Sequence, residues 1–157
     1  MQEMFCFQCQ QTAHNTGCDG KAGVCGKKAD TANYQDEVIG ALIGLARAVQ
    51  TGTATDRTDE LMLKGLFTTI TNVNFNNETI LQIKNDIEKE KAAVSTTHFA
   101  DYDMAELWRA GEDVRSLKSL ILFGLKGMAA YAYHARALGK TDPAVNHYFY
   151  EALAALG

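Results

Sequence analysis

Four cysteines are the residues of this sequence best suited to chemistry, and all of them fall within its first 25 positions. Cys6, Cys9, Cys18 and Cys25 follow the spacing C-x2-C-x8-C-x6-C. Four thiols in so short a segment can converge on one centre without help from distant parts of the chain, and the first pair can chelate through a single turn. Thiolate is the soft ligand that iron–sulfur clusters and structural zinc both prefer. The pattern therefore predicts a metal or cluster site.

Three chemistries compete for these cysteines. Disulfides form in oxidising compartments, and the N-terminus lacks the basic and apolar regions of a secretion signal, so disulfides are disfavoured. Structural zinc sites more often contain two short C-x2-C knuckles, whereas this sequence contains one such pair and a wider C-x6-C pair. Spacing alone leaves zinc and an iron–sulfur cluster both open.

The residues around the cysteines suit a negatively charged sulfur centre. Glycines would let backbone N–H groups approach the sulfur atoms, lysines would add positive charge, and apolar residues would exclude water. The glycines are Gly17, Gly20, Gly23 and Gly26, the lysines are Lys21, Lys27 and Lys28, and the apolar residues are Phe5, Phe7 and Val24. His14 lies between the second and third cysteines. Four cysteines already complete a ligand set, so we expect His14 to lie beside the ligands or in solvent.

The remainder of the chain has the apolar spacing of helices. From Tyr34 onward apolar residues recur at steps of three and four, which indicates helices with one buried face. The spacing predicts about five helices, and Met104–Ala110 could add a helical turn or two. A single proline and the lack of a convincing strand favour an all-α bundle. We therefore predict one domain over residues 1–157, with a Cys-rich loop at 1–30 and a helical bundle at 31–157.

Local signals predict where several helices begin and end. Asn77 is the expected N-cap of the third helix and Asp113 that of the longest helix, which Gly139 should end. Asp142-Pro143 should open the last helix, with proline in its first turn. The longest helix is expected to bury one apolar stripe, which consists of Val114, Leu117, Ile121, Leu125, Met128, Ala132 and Ala135.

Two further patterns carry structural expectations. Gly40 and Gly44, four residues apart on the first helix, should permit close helix packing. Glu88–Lys91 is expected to form a solvated helix face.

Composition excludes several classes of protein. The chain has 15 Lys and Arg against 19 Asp and Glu, a net charge of −4, which argues against a nucleic-acid-binding protein. The nearly apolar stretches 38–49 and 120–132 are shorter than the roughly 20 residues of a membrane span. With no secretion signal, the expected location is the cytoplasm.

Longer runs of the sequence resemble a known family, the hybrid cluster proteins, also called prismane proteins or hydroxylamine reductases. The cysteines lie in runs that are similar to the N-terminal domain of this family, and the likeness continues through the helical part. The runs are Phe5–Ala13, Asn15–Cys18, Gly23–Lys27, Thr31–Asp36, Gly65–Asn72, Glu112–Leu117, Gly124–Ala132 and Tyr150–Ala154. The resemblance spans nearly the whole chain and is least distinctive over Glu78–Trp108.

The resemblance implies a cofactor and a role. In this family the residues matching Cys6, Cys9, Cys18 and Cys25 hold a [4Fe–4S] cluster, or a [2Fe–2S] cluster where the second gap is longer. The x8 gap matches the [4Fe–4S] members, while the final x6 gap is one residue longer than in those members and keeps [2Fe–2S] as the alternative. The catalytic hybrid cluster takes His, Glu and further Cys ligands from later domains, and this chain has no cysteine after Cys25.

The expected function is therefore an iron–sulfur electron-transfer domain with no catalytic residue of its own. It would relay single electrons from a donor redox protein to a hybrid cluster in the remaining domains, which reduce hydroxylamine to ammonia or act in nitric oxide detoxification. The alternative is a zinc-stapled helical binding or structural module without redox activity.

Overall fold

The computed structural model describes residues 4–9 and 11–157. Within these residues it contains six α-helices and no strand. The helices are α1 (Ala29–Thr51), α2 (Asp56–Thr68), α3 (Asn77–Val94), α4 (Met104–Arg109), α5 (Glu112–Ala137) and α6 (Pro143–Ala154). The predicted all-α bundle is confirmed, and the sixth helix is the short α4, where the spacing allowed only a turn or two.

Helix α1 is the centre of the bundle. Every residue from Val38 to Ala46 is buried, and α1 contacts α2, α3, α4 and α6. A helix that is apolar on all sides belongs inside a protein. None of the cysteines belongs to this core, because Cys6 and Cys18 form a separate small cluster with Met4 and Ala32. The Cys-rich loop therefore packs beside the core of the bundle.

Helix α1 begins at Ala29, five residues before the apolar spacing starts at Tyr34. Its first turn is held by polar contacts. The Asp30 carboxylate accepts from the backbone N–H of Thr31 at 2.8 Å and from Nδ2 of Asn77 at 2.9 Å. Apolar periodicity cannot report a turn that is stabilised by such hydrogen bonds.

Two of the predicted N-caps are displaced. Asn76, not Asn77, caps α3, because its side chain accepts from the backbone N–H of Thr79 at 2.9 Å. Helix α5 begins at Glu112, so Asp113 lies inside its first turn, and the N-cap Gly111 has no side chain with which to cap.

The other two predicted boundaries are correct. Gly139 has a φ of 72° just after α5, a left-handed conformation that glycine adopts without steric cost. The side chain of Asp142 accepts from the backbone N–H of Ala144 at 2.8 Å, and Pro143 is the first residue of α6.

The predicted buried stripe of α5 is wrong. Of its seven members only Leu125 is fully buried, and Leu117 is 63% exposed. The buried face of α5 instead consists of Ser119, Leu122, Leu125, Lys126 and Ala129. Helix α5 carries two apolar faces, and the buried one includes two polar residues. Lys126 finds hydrogen-bond partners inside the protein, which offset the cost of burying its ammonium.

The segment before α4 packs closely on α1. The backbone N–H of Tyr102 donates to the Gly40 carbonyl at 3.1 Å, and a Cβ on Gly40 would overlap the Tyr102 carbonyl oxygen. The predicted close approach is thus confirmed, although the partner is an irregular segment and not a helix. Lys91, predicted to be solvated, is buried and forms ion pairs with Glu88 at 2.9 Å and with Asp101.

Among the described residues no helix is both long enough and apolar enough to cross a membrane.

Candidate cysteine-ligated cofactor site

All four cysteines line one small cavity at the end of the bundle. Each is a free thiol. The cavity has a volume of about 10 Å³, close to the minimum that a single water molecule occupies. The structure therefore gathers the four predicted ligands at one place around a very small space.

Two of the cysteines form the inner wall of the cavity. Cys6 and Cys18 face each other as an isolated antiparallel pair, and each backbone N–H donates to the other's carbonyl at 2.9 Å. Both residues are buried, whereas Cys9 and Cys25 are half-buried. The backbone pairing fixes the spacing of the inner two thiols, and the outer two lie at the rim.

Cys25 lies in a tight turn. The backbone N–H of Gly23 donates to the Lys27 carbonyl at 2.8 Å, and that of Gly26 donates to the Gly23 carbonyl at 2.8 Å. Gly26 adopts a φ of 85°, which favours glycine. The N–H groups of Gly23 and Gly26 are thus bound to carbonyl oxygens, so the prediction that they approach sulfur does not hold in this structure.

A backbone N–H does reach sulfur elsewhere in the loop. The Ala13 N–H points at Sγ of Cys18 at 3.5 Å. Gly17 is required for a different reason. Its φ is 121°, and a Cβ there would lie 2.5 Å from Cε2 of Phe5. Gly17 therefore lets the Phe5 ring pack on the loop backbone.

One of the three predicted lysines lies against the cysteines. Lys27 is only 2% exposed, its Nζ lies 3.9 Å from Sγ of Cys6, and it donates to Oε1 of Gln35 at 2.5 Å. Lys21 and Lys28 are exposed. A single ammonium from this group is therefore placed to stabilise a thiolate.

A second buried lysine, which the sequence analysis did not assign to the site, comes from α5. Lys126 is 5% exposed, and its Nζ donates to Oε1 of Gln8 and to the Thr69 carbonyl at 3.1 Å. Gln8 lies between the first two cysteines. A residue 118 positions away in sequence thus holds the Cys6–Cys9 turn.

The other end of the Gln8 amide is also bound. Its Nε2 donates to Oδ1 of Asp36 on α1 at 2.6 Å, and Nε1 of Trp108 on α4 donates to Oδ2 of the same carboxylate at 3.1 Å. Helices α1, α4 and α5 therefore reach the cysteine turn through one glutamine. Gln8, Asp36, Lys126 and Trp108 were all missed as site residues by sequence reasoning.

Burial governs the charges of this network. It raises the pKa of the Cys6 thiol, an effect that the Lys27 ammonium opposes. Burial likewise raises the pKa of Asp36 to about 6, against the hydrogen bonds from Trp108 and Gln8. It lowers the pKa of Lys126 to about 7, which the Asp36 carboxylate opposes. An added negative charge at the cysteines would favour the ammonium form of Lys126.

Aromatic rings cover one side of the loop. The rings of Phe5 and Phe7 each lie 6.2 Å from the Trp108 ring, centroid to centroid. Val24, predicted as a further shield, is 65% exposed. The three rings pack beside the loop on the α4 side but do not line the cavity, and Phe5 is itself 36% exposed. The predicted apolar shield therefore does not cover the cavity, which is open to solvent near Val24.

Comparison with known proteins identifies the lineage of this chain. The model of the Prismane/CO dehydrogenase family matches residues 4–157. The chain belongs to this family. It is 39% identical to the hydroxylamine reductase of Caldanaerobacter subterraneus subsp. tengcongensis over 97% of the chain, and 41% identical to that of Desulfovibrio desulfuricans over 96%. The hydroxylamine reductase of Methanocella arvoryzae is 38% identical over 98% of the chain.

These relatives are much longer. The alignments cover 33%, 32% and 34% of the three relatives in that order, so the chain spans about a third of their length. The first alignment runs over 183 positions, more than the 157 residues of this prismane-family chain. The relative therefore carries insertions within the matched part.

The donor chemistry of the cavity fits a thiolate-bound group. Its described lining contains four thiols and no carboxylate or imidazole, and Lys27 and Lys126 contribute ammonium groups nearby. His14 is exposed and does not line the cavity, in agreement with the expectation that it lies outside the ligand set. Sulfur donors with cations around them are typical of soft metal centres.

The four thiols line the same cavity, but their side chains do not lie close enough together to form a metal site. Within residues 4–9 and 11–157 no three His, Cys, Asp or Glu side chains are close enough together to hold a metal ion as they stand. The rim around Val24 and Cys25 is open, since Val24 is exposed and a Cβ on Gly26 would meet nothing within 4 Å.

Proposed function

We propose that this prismane-family chain is an electron-transfer domain that holds an iron–sulfur cluster on Cys6, Cys9, Cys18 and Cys25. The observation that carries the proposal is the convergence of four free thiols on one cavity that has no carboxylate or imidazole in its described lining. A [4Fe–4S] cluster is the preferred form and [2Fe–2S] is the alternative. Such a cluster supplies one-electron transfer when bound.

The chain's own residues would bind and tune the cluster. Cys6 and Cys18 offer two thiols at a spacing that their backbone pairing fixes, and the rim cysteines would close on the cluster from outside. Lys27 places positive charge beside Cys6, which favours the thiolate and the more negative, reduced centre. The Phe5 and Phe7 rings pack on Trp108 beside the loop.

The proposed role is a relay between proteins or domains. Cys9 borders a groove of about 350 Å³ that is lined by Ile70, Thr71, Phe123 and Gly127 among others, and this groove gives a partner access to a ligand sulfur. We propose that a donor redox protein in the cytoplasm supplies the electron. The electron would pass to a region equivalent to the two thirds of the relatives that this chain does not match, and hydroxylamine would be reduced there. A second cluster would need ligands from that region, because this chain has no cysteine after Cys25.

One observation favours a second candidate, a structural zinc site without redox activity. The described lining of the cavity offers four cysteine thiols and no carboxylate or imidazole, which is the donor set of a zinc site with four cysteine ligands. Four thiolates in tetrahedral array are a common structural zinc site. In that case the metal would staple the loop to the bundle.

The visible spectrum of protein purified without oxygen separates the two candidates. A cluster gives a brown protein with a broad sulfur-to-iron charge-transfer band, whereas zinc gives a colourless one. Serine at any of the four cysteines should weaken or abolish the band, and His14→Ala, a change in the same loop, should leave it intact. Colourless protein containing about one zinc per chain would overturn the electron-transfer proposal.

A further inference from the structure

The Cys6–Cys9 turn is attached to the bundle through the side chain of Gln8. This side chain is buried, and its amide oxygen and nitrogen are both engaged, with Lys126 on α5 and Asp36 on α1. A buried amide whose two ends are bound to different helices has little freedom to move. The position of the turn therefore depends on the positions of α1 and α5.

Of the two partners of Gln8, Lys126 is the more distant in sequence, and burying its ammonium costs free energy. Its ammonium is buried, and it also donates to the Thr69 carbonyl just after the last residue of α2. The C-terminal end of a helix carries partial negative charge and favours a cation there. Burying a lysine is unfavourable unless its hydrogen bonds are made, so both contacts are needed to keep the ammonium in place.

The Lys126 ammonium that donates to Gln8 also places a positive charge near the Cys6–Cys9 turn. Lys27 approaches Cys6 from within the loop, and Lys126 approaches the turn through Gln8 from the bundle. The Asp36 carboxylate, which also accepts from Trp108, is the negative group that balances this pair. A centre bound to the cysteines would gain negative charge on reduction, and a fixed ammonium beside it favours that form.

We propose that Lys126 is a positioning residue that, through Gln8, fixes the Cys6–Cys9 turn and raises the reduction potential of the centre bound there. The part concerning potential rests on the proposed electron-transfer function. The part concerning the turn is a property of the chain without any metal and can be tested separately.

The first test measures alkylation of each thiol by mass spectrometry in the metal-free chain. Lys126→Met leaves the Gln8 oxygen and the Thr69 carbonyl unpaired, so Cys9 should react about tenfold faster, the factor that about 1.4 kcal/mol of local opening produces. Cys25, in its own tight turn, should keep its rate. Lys118→Met is the matched control, because Lys118 on the same helix donates to the Leu156 carbonyl. Equal acceleration at all four thiols, or none, would refute the positioning role.

The second test measures the reduction potential of the reconstituted full chain. Lys126→Met and Lys126→Gln should both shift the reduction potential to more negative values. Lys126→Arg keeps the positive charge and should keep most of the original potential, and Lys118→Met should not change it. Lys126→Gln retains a hydrogen-bond donor, so it also serves if the methionine variant does not fold. An unchanged potential in both variants would overturn the tuning role. A chain that binds no iron would refute the proposed function, while the alkylation pattern would still decide the positioning role.

Discussion

A methyl group added at Gly40 should disturb the cysteine loop from a distance. Gly40 lies in the middle of α1, and a Cβ there would overlap the carbonyl oxygen of Tyr102. Tyr102 leads into α4, which carries Trp108. The same substitution at Gly124 on α5 meets nothing within 4 Å. Gly40→Ala and Gly124→Ala therefore make an identical change in two helix interiors that differ in available space.

The expected energies have opposite signs. Alanine is favoured over glycine in a helix interior by about 0.5–1 kcal/mol, so Gly124→Ala should be slightly stabilising. At Gly40 the same gain is outweighed by overpacking, which costs about 1–3 kcal/mol, and by loss of the Tyr102 N–H to Gly40 carbonyl hydrogen bond, which contributes about 0.5–1.5 kcal/mol. Gly40→Ala should thus destabilise the fold by about 0.5–4 kcal/mol.

Denaturant unfolding followed by circular dichroism measures the stability of both variants. Trp108 is the only tryptophan of the chain, so its emission reports whether α4 has moved relative to Phe5, Phe7 and Asp36. Gly40→Ala should lower the midpoint and shift the emission, and Gly124→Ala should leave the emission unchanged. If Gly40→Ala were as stable as Gly124→Ala, the close contact with Tyr102 would be refuted.

Three other predictions follow from the same structure. Cys9→Ser should prevent cofactor loading but keep most of the helical circular dichroism, because no cysteine belongs to the bundle core; loss of the helical signal would show that the bundle depends on the centre. Burial and a carboxylate neighbour raise the pKa of Tyr150, so its contribution to stability is present below pH 10 and is lost as the pH rises further. In pH-dependent unfolding, Tyr150→Phe should flatten this alkaline loss and Tyr148→Phe, on an exposed residue, should not; equal effects would contradict the assignment. Lys91→Met should destabilise the protein by about 1–3 kcal/mol in thermal unfolding, since it leaves two carboxylates without their ammonium, whereas Lys89→Met, at a 77% exposed side chain, should change stability by less than about 0.5 kcal/mol.

The parts of the fold that sequence predicts are those with local causes. The all-α class follows from apolar spacing, and the end of α5 at Gly139 and the start of α6 at Asp142-Pro143 follow from residues that act within a few positions. The four thiols around one cavity also follow from local spacing. Each of these features needs only short-range interactions.

The parts that sequence misses depend on partners far along the chain. Helix α5 has two apolar faces, and periodicity cannot tell which one the bundle covers. The buried face includes Lys126, whose hydrogen-bond partner Gln8 lies 118 residues away. A lysine within the nearly apolar stretch 120–132 is the signal that could have pointed to a buried ammonium. The start of α1 at Ala29 was missed for a similar reason, since Asp30 is held by Asn77.

The central claim is that the four cysteines hold an iron–sulfur cluster. Its most direct test is the iron and acid-labile sulfide content of the full chain after anaerobic reconstitution, together with the paramagnetic resonance spectrum of the reduced protein. A [4Fe–4S] cluster should give about four iron and about four sulfide per chain with a reduced-cluster signal, and about two of each would establish the [2Fe–2S] form. Protein with no sulfide and about one tightly bound zinc per chain would contradict the central claim.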